Sequence, residues 1–480
     1  MMSTSDCVLL HGDAFRGNIL HWNKTTARTT TRRGLTIEVS LSCPERPLLP
    51  TILFVSVPAV DFTNDPPRIV RAVEDLILLR IPEGRFDKYD YYIYRAGGKK
   101  GPSLKLLPCP PQALVDEDVG LLSHGEGDYT IAALLSTNEF GVYDLHRFDS
   151  VSENWSMDKV SLVEPQVSFP DKIPSNSDRL LFHLTSTVIP IGSKGDTMGW
   201  VDLWHGILLC DVVSREPKLR GVPLPLPVEL MSRNNGQGTD LGCPKSFRGI
   251  TFIDKPGMEP CLKFVHLWHD AVPIPQDPAD DSNEEETKWE MRDWTITIWS
   301  NENLTASWKD WHKECVVKAS DISISSKLNS KMLKSGLLSP GGAEPKRAFQ
   351  NLFVFFPALG IDDGVVYLQA RVKFPHPRVF VLALDTENKK LLGAAEFATE
   401  RISGASVAYF PSNISKYIDP RARVIPIPKG DEDDPNWEEW RRYEGTESLK
   451  LPRLVLSRLL RRKDGPSSRK VNLDDVALAT

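Results

Sequence analysis

The chain has little cysteine, no long apolar run, no excess of positive charge and scarcely any 3.6-residue periodicity before residue 440. Each absence excludes something. The seven cysteines (Cys7, Cys43, Cys109, Cys210, Cys243, Cys261, Cys315) are widely spaced. They form no CxxC pair and no alternation with His that would suit tetrahedral zinc, so they read as reduced thiols of a cytosolic or nuclear protein. No stretch approaches the roughly 18 apolar residues that span a bilayer, and MMSTSDCVLLHGDAF lacks the order of a secretion signal. Neither membrane insertion nor secretion is expected, and the sequons at Asn23, Asn154, Asn303 and Asn413 read as chance occurrences. Lys plus Arg number 58 against 64 acids, a net charge of -6, which argues against nucleic acid as the main partner.

Catalytic signatures are missing as well. There is no GxSxG elbow, no Walker loop, no HExxH and no GxGxxG behind a strand. No catalytic residue, metal or cofactor is expected, and an enzyme is the less favoured reading. His266 and His269 stand in an HxxH spacing that would suit a metal on a helix. On a strand, positions i and i+3 point to opposite faces, so both are expected to be ordinary, partly buried histidines.

What the chain does have is strand and turn. At 480 residues, with 41% hydrophobic and 25% charged residues, it can bury a large core, and wholesale disorder is excluded. Its 37 prolines and 31 glycines punctuate short alternating runs. In TIEVSL, Ile37, Val39 and Leu41 share one face, and in WTITIW, Trp294, Ile296 and Ile298 do so. Ile207 to Cys210 and Val379 to Leu384 are apolar on both faces, as expected for inner strands of stacked sheets.

A strand, polar turn, strand unit recurs in YYIYRAGGKKGPSLKLLP, VYDLHRFDSVSENWSMDKVSL, GILLCDVVSREPKLRGVP, WTITIWSNENLTASWKDWHKECVV and VFVLALDTENKKLLGAAEF. The first and third end in the same P-x-L-x-x-hydrophobic-P pattern. Strands around Ile37 and Ile52 supply a sixth unit. Repeated β units of this kind are the mark of propellers. The expected fold is all-β: a β-propeller-like ring of about six antiparallel sheets with a short helical C-terminal tail. Residues 1–430 are expected to form the repeat domain, with polar loop insertions at 270–290 and 319–348. Residues 431–480 would form a charged linker, a short amphipathic helix around Leu454, Leu456, Leu459 and Leu460, and a basic tail.

The segment GWVDLWHGILLCDVV, Gly199 to Val213, resembles the hallmark of a plant family, expanded in grasses, known as proteins with domain of unknown function 1618. VLLHGDAF, DLILLRI, LHRFDS, VPLPLP, LKFVHLW, VVYLQA and VFVLALD look like the same family, so the resemblance covers roughly residues 7 to 418. It implies repeats similar to kelch and F-box-associated propellers, with no established activity. No F-box-like helical segment precedes the repeats, so direct attachment to a ubiquitin ligase core is not expected.

Read as an extended strand, GWVDLWHG puts Trp200, Asp202 and Trp204 on one face. Two readings of that face stand side by side. Asp202 is either a structural acceptor for N–H groups inside a blade, the favoured reading, or part of a ligand site whose indoles stack on a sugar or aromatic group. Eight of the 12 tryptophans lie between Trp200 and Trp311, which fits inter-blade packing better than an exposed patch. The expected function is a non-catalytic protein-interaction scaffold, cytoplasmic or nuclear, with an unknown protein partner. The alternative is a glycan or small-molecule binding protein or enzyme with its site near Trp200, Asp202 and Trp204.

Overall fold

The computed structural model describes residues 7–17, 22–43, 48, 50–58, 60, 62, 65–82, 89–97, 101–125, 127–164, 183–192, 196–225, 243–255, 257–273, 289–338, 345–360, 364–372, 378–399 and 409–418. The amphipathic helix and basic tail expected after residue 430 lie outside them. Most of what is described is strand, arranged as a ring of six blades. Blade 2 is the meander β6 (Arg68–Val73), β7 (Leu76–Pro82), β8 (Tyr89–Arg95) and β9 (Ser103–Leu106). Blade 3 is β10 (Val119–Gly125), β11 (Asp128–Ser136), β12 (Val142–Asp149) and β13 (Asn154–Glu164). Blade 4 is β14 (Thr187–Ile191), β15 (Thr197–Asp202), β16 (Gly206–Asp211) and β17 (Leu219–Pro223). A short parallel pairing of Leu162 with Leu219 and Glu164 with Arg220 joins blades 3 and 4 into one eight-stranded sheet. Blade 5 is β18 (Arg248–Ile253), β19 (Cys261–Pro273), β20 (Trp289–Asn301) and β21 (His312–Lys318). Blade 6 is β22 (Phe353–Leu359), β23 (Val365–Arg371), β24 (Arg378–Asp385) and β25 (Lys390–Thr399).

Blade 1 differs, because the first and last of the described strands both build it. The meander β3 (Ala27–Thr30), β4 (Thr36–Ser42), β5 (Pro50–Ser56) is extended by β1 (Val8–His11), which runs parallel to β5. The last described strand, β26 (Tyr409–Ser412), then pairs antiparallel with β1, Val8 opposite Ser412 and His11 opposite Tyr409. The short β2 (Phe15–Arg16) also runs along β5. The innermost strands β26, β6, β10, β14, β18 and β22 lie against one another in turn and return to β26. Closure by β1 and β26 covers edges that an open stack of sheets would leave for aggregation.

The alternation in the sequence maps directly onto this ring. Ile37, Val39 and Leu41 are fully buried in blade 1, as are Trp294 and Ile296 in blade 5, while Thr36 is exposed. All five recurring units are outer hairpins, the third and fourth strands of blades 2 to 6. Third strands are apolar on both faces because a neighbouring blade packs on each side: Ile207 to Cys210 and Val379 to Leu384 are all buried. The turn from Asp385 to Lys390 is held by the Asp385 carboxylate, which accepts from the Asn388 backbone at 2.9 Å and its side-chain amide at 2.8 Å.

Two expectations need correction. Residues 270–273 and 289–290 continue β19 and β20, so a long hairpin flanks that insertion. The segment 319–348 is not simply an exposed loop: it holds helical turns and, among the described residues, five buried side chains. Helix α1 (Ser326–Lys334) is capped by the Ser325 hydroxyl, which accepts from Leu328 N at 3.3 Å. A second helix, α2, spans Pro345–Gln350. Ala319, Ile322, Met332, Leu337, Leu338 and Phe349 are buried in one cluster with Val354, Leu368 and Leu382 of blade 6. Apolar residues sparse enough to read as a loop are sufficient here because each lands on the flank of a blade. Among the described residues no helix is long and apolar enough to cross a membrane, and no disulfide joins any of the seven cysteines.

Candidate functional site

The hallmark segment forms the central hairpin of blade 4. Strand β15 ends at Asp202, Leu203 to His205 make the turn, and β16 begins at Gly206, with Asp202 opposite Gly206. The three expected residues are all buried: Trp200 is 0% exposed, Asp202 0% and Trp204 1%. Their shared face is not kept, because Trp204 falls in the turn instead of on the strand. Trp200 packs with Leu122, Leu134 and Leu145 of blade 3, and its indole Nε1 donates to the Asp118 carbonyl at 2.8 Å. Trp204 turns towards blade 5, where the Arg248 guanidinium lies 4.3 Å above its ring and also 5.1 Å from the ring of Phe264. The indoles therefore serve opposite junctions of the blade and do not flank a shared opening.

Asp202 organises the turn between them. Its Oδ1 accepts from Trp204 N at 2.9 Å and His205 N at 3.3 Å, and its Oδ2 accepts from Leu184 N at 2.8 Å. An ionised carboxylate accepts several N–H groups at once, and aspartate tolerates this arrangement two and three residues ahead of itself. The bond to Leu184 ties the entry of the chain into blade 4 to the hairpin at its centre.

Arg248 locks blade 5 onto this turn. It is 2% exposed and donates to the Leu203 carbonyl at 2.8 Å and the Pro225 carbonyl at 3.1 Å. Burial pushes its guanidinium down to about 9, with the negative charge of Asp202 opposing the shift, so it remains charged at neutral pH. A cation over a desolvated indole is worth about 2 kcal/mol. The partly buried His266 lies opposite Arg248 on β19. Burial, then Arg248 and His269, hold it well below the ordinary histidine range. His269 is held at about 4 by burial, against the opposing effect of its 2.6 Å bond to the Val354 carbonyl of blade 6.

Two residues that the sequence did not single out join the site. One imidazole nitrogen from His183, one from His205 and a carboxylate oxygen of Asp202 lie within 4.8 Å of one another. His205 sits inside the hallmark segment and was legible as a neighbour of Asp202. His183 is separated from it by a whole strand, and only the fold brings it back.

Of the tryptophans clustered in the sequence, Trp200, Trp204, Trp294 and Trp311 are buried and Trp268 and Trp299 are partly buried, whereas Trp308 is 38% exposed. The aromatic surface is spent inside the junctions. A depression of about 310 Å³, lined by Ile93, Arg95, Ser103, Lys105, Tyr129 and Ser150, lies on blades 2 and 3, away from the hallmark segment.

Comparison with known proteins adds a partial family match. Residues 200–367 match the family model described as "Protein of unknown function (DUF1618)". The match begins at Trp200, inside the hallmark hairpin, and runs through blade 5 to Tyr367 in blade 6. No curated protein matches the chain. Among solved structures, the chain is similar to an oligogalacturonate lyase in complex with manganese, at 10% identity over 83% of this chain and 88% of that one. It is also similar to apo AztD from Citrobacter koseri, at 13% identity over 82% of this chain and 95% of that one. The TM-score is 0.27 in both cases.

Proposed function

We propose that the protein is a non-catalytic interaction scaffold: a ring that presents one of its two faces to a protein partner. The observation that carries this reading is where the long connections leave the blades. In an antiparallel meander the second and fourth strands end on the same face. The connections 165–182 after β13, 226–242 after β17 and 274–288 after β19 all leave from such ends. Contacts made at these strand ends agree. Arg248, at the start of β18, bonds to Leu203 in the turn after β15 and to Pro225 after β17. His269, near the end of β19, bonds to Val354 at the start of β22. On the opposite face the connections are short. Residues 274–288 carry Asp277, Asp280, Asp281, Glu284, Glu285 and Glu286 against a single Lys288, so a partner with a basic surface is the natural complement.

The alternative, a glycan or small-molecule site at Trp200, Asp202 and Trp204, would require the hairpin turn to open, since all three are buried. The domain boundary near residue 430 and a cytoplasmic or nuclear setting belong to the same proposal. Affinity capture with wild type and with a variant carrying a short Gly-Ser link in place of 274–288 tests it. A partner retained by wild type and lost by a variant of unchanged melting temperature is expected. Identical captures, or no reproducible partner, would contradict the scaffold reading.

A further inference from the structure

We propose that His183, Asp202 and His205 form a binding site for one divalent transition-metal ion of the zinc class, on the face of blade 4 from which the long connections leave. The argument begins with convergence. Three ligand atoms that all lie within 4.8 Å of one another leave a point no more than about 2.8 Å from each, against bond lengths of about 2.0–2.2 Å for zinc to nitrogen or carboxylate oxygen. Closing that gap takes side-chain adjustments of at most about 0.6–0.8 Å, within reach of small χ rotations. The two imidazole ring centroids are 6.3 Å apart with planes inclined at 49°, a tilted and unstacked pair.

The donor set selects the ion. Two imidazole nitrogens and one carboxylate oxygen suit zinc, nickel, copper or ferrous iron, whereas calcium and magnesium require shells built of oxygen. Asp202 is oriented by the backbone N–H groups of Leu184, Trp204 and His205, the kind of outer support that holds a ligating carboxylate in place. Burial adds to it, with Asp202 at 0% and His183 at 9% exposure and His205 half-buried at the turn. Three protein ligands leave a coordination position for water or for a group supplied by a bound molecule. The expectation of no metal followed from the sequence pattern: neither HxxH nor CxxC marks this set, because its members lie on the entry to a blade and on a turn one strand later. This site does not depend on the scaffold reading, since it would bind its ion with or without a protein partner.

The test uses the full chain, stripped with a chelator and titrated with Zn(II) against a chromophoric competitor. One ion per chain is expected, with no comparable binding of Mg(II) or Ca(II). His183→Ala and His205→Ala should each weaken Zn(II) binding by at least about tenfold, while His124→Ala, on blade 3, should leave it unchanged. Equal Zn(II) affinity in wild type and in the two histidine variants would overturn the proposal, as would no stoichiometric binding by wild type. X-ray absorption of zinc-loaded wild type removes any dependence on variant folding. A shell with two imidazole nitrogens is expected, and a shell without histidine would overturn the site.

Discussion

Two arginines each join a pair of neighbouring blades, and they do so by different physics. Arg248 sits between blades 4 and 5 among Trp204, Phe264 and two carbonyls. Arg71 sits between blades 2 and 3, where it donates to the Glu117 carbonyl at 2.9 Å beside the acidic turn Asp116–Asp118. Burial lowers both, Arg248 to about 9 and Arg71 to about 10, and for Arg71 the charges of Glu117, Asp116 and Asp118 oppose the shift. That acidic turn is shared. Glu117 also meets Lys245 of blade 5 at 3.2 Å. Burial works to raise the Glu117 carboxyl, but Lys245 holds it below the usual carboxylate range. Burial raises Asp116 and Asp118, against Arg80 at the first and a hydrogen bond from Thr185 at the second. The surroundings of Arg248 are thus aromatic and dry and those of Arg71 ionic and partly solvated, although blades 2 and 3 also bury an apolar cluster with Tyr91, Tyr129 and Phe148 between them, and the hallmark segment belongs to the dry setting.

The sharpest way to break this contrast is to remove an indole from each junction. Trp204→Ala should cost about 3–5 kcal/mol, the range for deleting a large buried aromatic, read as a fall in denaturant midpoint. Trp155 is only partly buried and bonds to the Pro108 carbonyl at 3.0 Å, so Trp155→Ala should cost clearly less. Equal losses would mean that the junctions do not differ in packing.

Backbone clearance gives the next largest effect. A Cβ on Gly249 would stand 2.2 Å from the Pro357 carbonyl oxygen of blade 6, whereas one on Gly120 would meet the flexible Met198 sulfur at 2.5 Å and a Val188 methyl at 2.7 Å. Gly249→Ala should destabilise by about 1–3 kcal/mol or more, the cost of forced overpacking. Gly120→Ala should cost less, because side chains can move where backbone cannot. Thermal melts in which Gly249→Ala matches wild type would show that blades 5 and 6 are not in such close contact.

Charge removal then separates the two arginines by salt dependence. Arg248→Met strands the Leu203 and Pro225 carbonyls and should cost about 2 kcal/mol at any ionic strength. Arg71→Met should cost about 1 kcal/mol at low salt and less at high salt, because the carboxylates it faces are partly exposed and screened. A salt-sensitive Arg248 effect would place that group in a wetter site than its burial implies.

The last effect emerges only in acid. His269 titrates at about 4 in the fold against 6.5 for the free group, so between those values the unfolded chain binds more protons. The stabilisation from keeping His269 neutral is complete above pH 6.5 and is lost as pH falls through 4. His269→Phe should flatten the stability profile in that window. An unchanged slope would show that His269 is more solvated than its stacking on Phe353 at 5.6 Å suggests.

How much of this was legible follows from what each residue has to meet. Outer hairpins were readable because alternation and turn chemistry are local: Asp385 finds Asn388 three residues on. The closure of blade 1 was not, because Val8 and Ser412 are brought together only by the completed ring. Helix α1 hid in a polar stretch, since Leu328, Met332 and Leu333 make a narrow stripe that needs blade 6 beside it to become core. At the hallmark segment, alternation assumed a strand through Trp204. The turn after Asp202 breaks that assumption and sends the two indoles apart. The bonds of Asp202 to Trp204 and His205 follow from local turn chemistry, whereas its bond to Leu184 and its approach to His183 belong to the fold.

The central claim is that the hallmark segment is a clasp organised by a buried carboxylate. It is tested most directly by the melting temperature of Asp202→Ala set beside that of Asp211→Ala. Asp211, at the other end of β16, also accepts two backbone N–H groups, from Val213 and Ser214 at 3.1 Å each, but it is exposed. Water can replace the carboxylate at Asp211 and cannot at Asp202. Asp202→Ala should therefore lose about 1–3 kcal/mol or more, the cost of burying donors without acceptors. Asp211→Ala should lose a fraction of that. Equal and small losses in both variants would contradict the clasp.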